Sequence, residues 1–85
     1  MKNNALKKKA KAKNAVTSLA TQVDTLREVI TSLGDNMREN ATNGNIELTP
    51  EHRALLLDFL SCSDSLSYDM QRYSSMLDEL AKFIN

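Results

Sequence analysis

Residues 16–37 read VTSLATQVDTLREVITSLGDNM, and apolar side chains recur in this segment at alternating spacings of three and four. The positions of the pattern are Val16, Leu19, Val23, Leu26, Ile30, Leu33 and Met37. This spacing places them on one face of an α-helix, because the helix repeats every 3.6 residues. Alternation with period two does not extend over more than a few residues of the chain, so no strand is predicted.

The second half of the chain carries the same alternation between residues 56 and 84. Its positions are Leu56, Phe59, Ser63, Leu66, Met70, Tyr73, Leu77, Leu80 and Ile84. Ser63 is the one member that breaks the apolar run, and the pattern predicts a second helix. The other members of the two patterns are called the seam residues below, and they are the candidate interface residues of this chain.

A cluster of turn-forming residues separates the two patterns. Residues 41–45 read ATNGN, and Gly44 adopts a positive φ without the steric penalty of a Cβ atom. Thr49 and Pro50 then form a helix start, with Thr49 as N-cap and Pro50 in the first helical position. The predicted organisation is a single domain with a lysine-rich segment at 1–14 that is a candidate start of helix 1, helix 1 at 15–40, a turn at 41–49 and helix 2 at 50–85.

The positions beside the seams are mostly apolar or small. Val29, Leu55, Leu60 and Met76 lie there, where a two-stranded coiled coil usually carries charges. Both helices therefore present an apolar face that is wider than one partner helix covers. The predicted fold is all-α: an antiparallel helical hairpin of two long helices that assembles into a dimeric four-helix bundle or a coiled-coil complex.

The composition bounds the chemistry. The 85 residues include one cysteine, Cys62, and one histidine, His52, which excludes a disulfide framework and a Cys/His metal cluster. These two residues are ten positions apart and do not share a helical face, so neither is assigned a catalytic or metal-binding role. We predict that the chain is not an enzyme, with no catalytic residues, no cofactor and no metal.

The charges are balanced overall but unevenly distributed. The chain has eleven Lys and Arg and eleven Asp and Glu, yet residues 1–13 hold six lysines and no acid. The apolar run that a signal peptide needs does not follow these lysines, and no stretch approaches the ~20 apolar residues of a membrane span. We therefore predict a cytoplasmic protein without a membrane span, with export by a route that uses no signal peptide left open.

The lysine-rich segment has two interpretations. Its candidate polyanion-binding residues are Lys7, Lys8, Lys9, Lys11 and Lys13. They could contact phosphates, although the absence of arginines and aromatic residues among them argues against base-specific recognition. Alternatively, helix 1 extends back through this segment and the lysines lie beside Asp78 and Glu79 at the end of helix 2.

The function predicted from these patterns is a small non-enzymatic protein–protein interaction module. It acts as an adaptor, chaperone, inhibitor or assembly subunit through its heptad-patterned helix faces. The expected partners are a second copy of the chain, another helical protein, or both. The alternative is a nucleic-acid-binding hairpin dimer that uses the lysine-rich N-terminus.

Overall fold

The computed structural model describes residues 2–84, which form two antiparallel helices. Helix α1 spans Lys2–Thr42 and helix α2 spans Pro50–Phe83. No strand occurs in this range, so the predicted all-α helical hairpin is confirmed. The lysine-rich segment is part of α1, which ends two residues beyond the predicted residue 40. The predicted bounds at residues 1 and 85 fall outside the described part of the chain.

The turn between the helices is built from the signals visible in the sequence. Gly44 has a φ of 72°, and the backbone N–H of Asn45 donates to the carbonyl oxygen of Asn40 at 3.0 Å. This arrangement closes the C-terminal end of α1. At the other side of the turn, Thr49 Oγ1 accepts a hydrogen bond from the backbone N–H of His52 at 3.1 Å. Thr49 is therefore the N-cap of α2, with Pro50 at its first position.

Two polar contacts fix the register of the hairpin. Ser74 Oγ donates to Asp24 Oδ1 at 2.8 Å, and Arg38 Nη2 donates to Asp64 Oδ2 at 3.0 Å. The Ser74–Asp24 bond and the contact of Leu60 with Gly34 place the last residues of α2 level with about residues 10–14 of α1. The lysine-rich start of α1, residues 3–13, therefore reaches to and beyond the end of α2. This segment is called the lysine overhang.

The acids at the end of α2 bear on one expectation from the sequence. Asp78 is level with about residues 16–20 of α1, and Lys7 lies about 14–20 Å before that level at 1.5 Å per residue. Lys7 therefore does not lie beside Asp78. Glu79 accepts from Lys82 of its own helix at 3.4 Å.

The hairpin is an open structure for its mass. Its radius of gyration is 19.2 Å, against about 12 Å for a compact chain of this length. Its accessible surface is 6776 Å², whereas a compact monomer of 9.5 kDa exposes about 5,000 Å². Among the described residues only two hydrophobic residues are more than nine-tenths buried, Leu56 and Leu77, and no large side chain is completely buried. Much apolar surface is therefore left uncovered by the chain itself.

Candidate functional site

The seam residues divide into two groups in the structure. The first group lies between the helices and is buried or half-buried. Its members are Val16, Val23, Ile30, Met37, Leu56, Phe59, Met70, Leu77 and Ile84. The second group is exposed, and its members are Leu19, Leu26, Leu33, Leu66, Tyr73 and Leu80. One heptad row of each helix thus packs inside the hairpin, while the neighbouring row, except for the half-buried Phe59 near the turn, faces solvent.

A second pair of rows, one on each helix, completes the packing inside the hairpin. These inner rows are buried or half-buried, and their members are Ala20, Arg27, Gly34, Ala41, Leu60, Ser67, Ser74 and Ala81. Most of them are small, which allows the two backbones to approach closely. At Gly34 the Leu60 side chain comes within 3.8 Å of where a Cβ atom would stand. The hairpin therefore packs small residues of the inner rows beside larger seam residues such as Leu56 and Leu77, and the leucines of the neighbouring rows face outward.

The exposed seam residues form a continuous surface. Leu26, Leu33 and Leu66 are 53%, 48% and 49% exposed, although each belongs to an otherwise apolar heptad row. Four further exposed side chains flank these rows: Val29, Leu55, Met76 and Phe83. We call the six exposed seam residues and these four flanking residues the outward apolar face.

The outward rows of the two helices lie on the same side of the hairpin. In each helix the outward residue precedes the inner-row residue by one position, as Leu33 precedes Gly34 and Leu66 precedes Ser67. Because the helices run antiparallel, the residue before an inner-row residue lies toward the same side of the hairpin in both helices. Leu33 of α1 and Phe59 of α2 accordingly line one apolar cleft of about 440 Å³ near the turn. Ile46 and Leu48 of the turn extend that cleft.

The opposite side of the hairpin carries charged and polar contacts between the helices. Arg38 donates from Nη2 to both carboxylate oxygens of Asp64, at 3.2 and 3.0 Å. Asp24 accepts from Ser74 and lies 3.8 Å from the Arg27 guanidinium. A shallow polar groove runs beside these contacts. Leu57 and Tyr68 are also exposed on this side, but unlike the outward apolar face it carries polar contacts between the helices.

The groups that most often carry catalysis or bind metals are dispersed. His52 and Cys62 are both exposed on α2, and the Sγ atom of Cys62 lies 4.0 Å from Asp58 Oδ1. Within residues 2–84, no cluster of three or more His, Cys, Asp and Glu side chains has the geometry to hold a metal ion. In the same range, neither helix combines the length and apolarity required to cross a bilayer.

The lysine overhang presents its charges around a single helix. Lys7, Lys8, Lys9 and Lys11 are exposed, and Lys13, level with the end of α2, is half-buried. Residues 3–18 contain no acid, so this end of the molecule is strongly basic. The other end of the hairpin, residues 39–51, holds Glu39, Glu47 and Glu51 and neither Lys nor Arg. We call residues 39–51 the turn end.

Comparison of this chain with protein families, with curated proteins and with solved structures finds no significant match. The site is therefore argued from its own geometry. The sequence patterns missed the inner rows, because hydrophobicity alone favours the leucine rows as the seam. A signal for the inner rows is present in the sequence: small residues recur every seven positions at Ser67, Ser74 and Ala81 in α2, and at Ala20, Gly34 and Ala41 in α1 with Arg27 between the first two.

Proposed function

We propose that this chain is a non-enzymatic helical protein–protein interaction module. In this proposal the outward apolar face binds a helical partner, and the chain acts as an adaptor, chaperone, inhibitor or assembly subunit. The observation that carries the proposal is the exposure of Leu26, Leu33 and Leu66, half of whose surface remains in water in the hairpin. Exposed leucines in a regular heptad row are typical of a helix that packs against another helix.

The size of the outward apolar face supports this proposal. Ten large side chains, each about half exposed, offer roughly 800 Å² of mainly apolar surface, which is the area that each partner buries in a typical stable interface. The largest apolar patch of an ordinary monomer covers only about 300–600 Å². The surface in excess of a compact monomer is about 1,700 Å². An interface on this face would cover nearly half of that excess.

The shape of the face favours helices as the partner. Its two rows follow the helix axes, their side chains repeat every seven residues, and near the turn they border an apolar cleft. Such rows accept the knobs of one or two further helices at the spacing of a four-helix bundle. The polar side of the hairpin, with Arg38 and Asp64, would then face solvent.

Photo-crosslinking in cells tests this proposal. Benzoylphenylalanine replaces Leu26 or Leu66 on the outward apolar face, and Glu28 or Tyr68 on the polar side as matched controls. We expect discrete adducts with a helical protein, either a second copy or another chain, from positions 26 and 66 only. Adducts from positions 28 and 68 of equal yield, or none from positions 26 and 66, would contradict the proposal.

The lysine overhang supports a second candidate, which is nucleic-acid binding by a hairpin dimer. The specific observation is that Lys7, Lys8 and Lys11 are exposed on a helical segment that extends past α2. Such a segment contacts phosphates with an affinity that falls steeply with salt. Electrophoretic mobility shifts on generic DNA and RNA at low and high salt test this candidate. Retardation that is lost when Lys7, Lys8 and Lys11 are replaced by glutamine supports nucleic-acid binding. The absence of retardation at low salt would contradict it.

A further inference from the structure

We infer that the partner on the outward apolar face is a second copy of this chain in antiparallel orientation, with the lysine overhang of each copy lying against the turn end of the other. This inference rests on the proposed function, and it adds the identity and the direction of the partner. Three features of the hairpin carry it: the position of the face along the molecule, the distribution of charge at the two ends, and the area of the face.

The outward apolar face is placed centrally between the two charged ends. It extends from the level of about residue 16 to the level of about residue 40 of α1, so its centre is level with Glu28. Lys11 and Lys13 lie 17 and 15 positions before Glu28, and α1 ends at Thr42, 14 positions after it, where the chain turns back. When two copies align the centres of their faces in antiparallel orientation, Lys11 and Lys13 therefore come close to the level of the partner's turn end, and Lys7 lies about 10 Å beyond the level of the partner's Thr42.

The charges of these two segments are complementary. The lysine overhang carries Lys7, Lys8, Lys9, Lys11 and Lys13 and no acid. The turn end carries Glu39, Glu47 and Glu51, all three exposed, and of the arginines that flank it Arg38 is already paired with Asp64 while Arg53 is exposed. An antiparallel pair brings opposite charges together at both ends. A parallel pair places two lysine overhangs side by side, where like charges repel.

The area of the face is sufficient for a two-fold symmetric dimer. Two copies together contribute roughly 1,600 Å², which is the standard size of a specific interface. The same surface patch serves both copies, as an isologous interface requires. The resulting assembly is a four-helix bundle in which the inner rows pack within each copy and the leucine rows pack between the copies.

Distances between spin labels test the direction of pairing. In a Cys62→Ser background, single cysteines are placed at Lys7 and, as a control near the centre of the face, at Thr25. Antiparallel pairing predicts about 60 Å between the two labels at position 7, since each lies 21 residues from the centre at 1.5 Å per residue. Labels at position 25 are expected within about 30 Å of each other in either orientation.

The outcomes of this measurement are distinct. A long distance at position 7 with a short one at position 25 supports the inference. Short distances at both positions overturn it in favour of parallel pairing. No distance at either position overturns the second copy as the partner. Crosslinks from position 26 to a different helical protein would then still support the proposed function, so the two failures are distinguishable.

Charge reversal provides an independent test. Changing Lys7, Lys8 and Lys11 to Glu makes each overhang repel the partner's turn end, and we expect dimer affinity to fall roughly tenfold or more. Changing Glu39, Glu47 and Glu51 to Lys should weaken self-association similarly. A mixture of the two variants should recover wild-type affinity, because opposite charges meet at both ends of the mixed dimer. Unchanged affinity of both variants would overturn the inference.

Discussion

Replacing Leu77 and Leu80 by alanine, one at a time, separates packing inside the hairpin from packing against a partner. The two leucines lie three residues apart on α2, but Leu77 is 4% exposed and Leu80 is 40% exposed. Leu77→Ala removes a side chain that α1 encloses, so it should lower the free energy of unfolding by about 2–5 kcal/mol. This cost belongs to the hairpin and should not depend on protein concentration.

Leu80→Ala should behave differently because the leucine lies on the outward apolar face. Full burial of a leucine contributes about 1.5–3 kcal/mol, and three-fifths of this side chain is covered within one chain. The expected cost in the monomer is therefore about 1 kcal/mol, with no enclosed cavity. When a second copy covers the face, the cost should rise toward the 2–5 kcal/mol of a packed leucine.

Urea unfolding followed by circular dichroism at low and high protein concentration measures both costs. We expect the loss in free energy of unfolding to be independent of protein concentration for Leu77→Ala and to grow with concentration for Leu80→Ala. The reasoning would be refuted if the two variants lost equal free energy of unfolding at low concentration, or if the loss for Leu80→Ala did not depend on concentration. Should Leu77→Ala fail to fold, Leu77→Val provides the same comparison at about 1 kcal/mol.

Three further substitutions test local features of the hairpin. Gly34→Ala should stabilise α1 by about 0.5–1 kcal/mol in thermal melts, since the new Cβ meets Leu60 Cδ2 at an ordinary 3.8 Å; destabilisation would show that the helices pack more closely there. Ser74→Ala removes the 2.8 Å bond to the Asp24 carboxylate and should cost about 1–3 kcal/mol in urea unfolding. Thr49→Ala removes the N-cap of α2 and should cost about 1 kcal/mol, measured by the same method.

The sequence is sufficient to predict the elements of this fold because their signals are local. Heptad spacing defines both helices, Gly44 closes the first and Thr49 opens the second. Each of these features depends on residues within a few positions of one another. These sequence signals define the helices and the turn regardless of which helix surface packs inside the hairpin.

The choice of packing rows could not be predicted in the same way. The row of Val16 and Val23 forms a three-four pattern with the leucine row and also with the inner row of Ala20 and Gly34. Hydrophobicity favours the leucine row, whereas close approach of the backbones and the Ser74–Asp24 bond favour the inner row. This competition is decided by tertiary contacts, which a heptad count does not contain.

The axial offset between the two helices also could not be predicted from the sequence patterns. It depends on how the turn crosses from Thr42 to Pro50, and a seven-residue turn permits several offsets. The pair formed by Arg38 and Asp64 and the pair formed by Asp24 and Ser74 set it in the structure. The length of the lysine overhang follows from this offset, as does the separation of Lys7 from Asp78.

Sedimentation equilibrium of the wild-type chain beside a Leu26→Gln, Leu66→Gln double variant tests the central claim most directly. Both positions lie on the outward apolar face, and glutamine keeps a good helix propensity, so the hairpin itself should persist. For the wild type we predict a molecular mass of twice the 9.5 kDa of one chain. For the double variant we predict the mass of one chain, with its helix content unchanged. Equal masses for the two chains, whether single or doubled, would contradict the central claim.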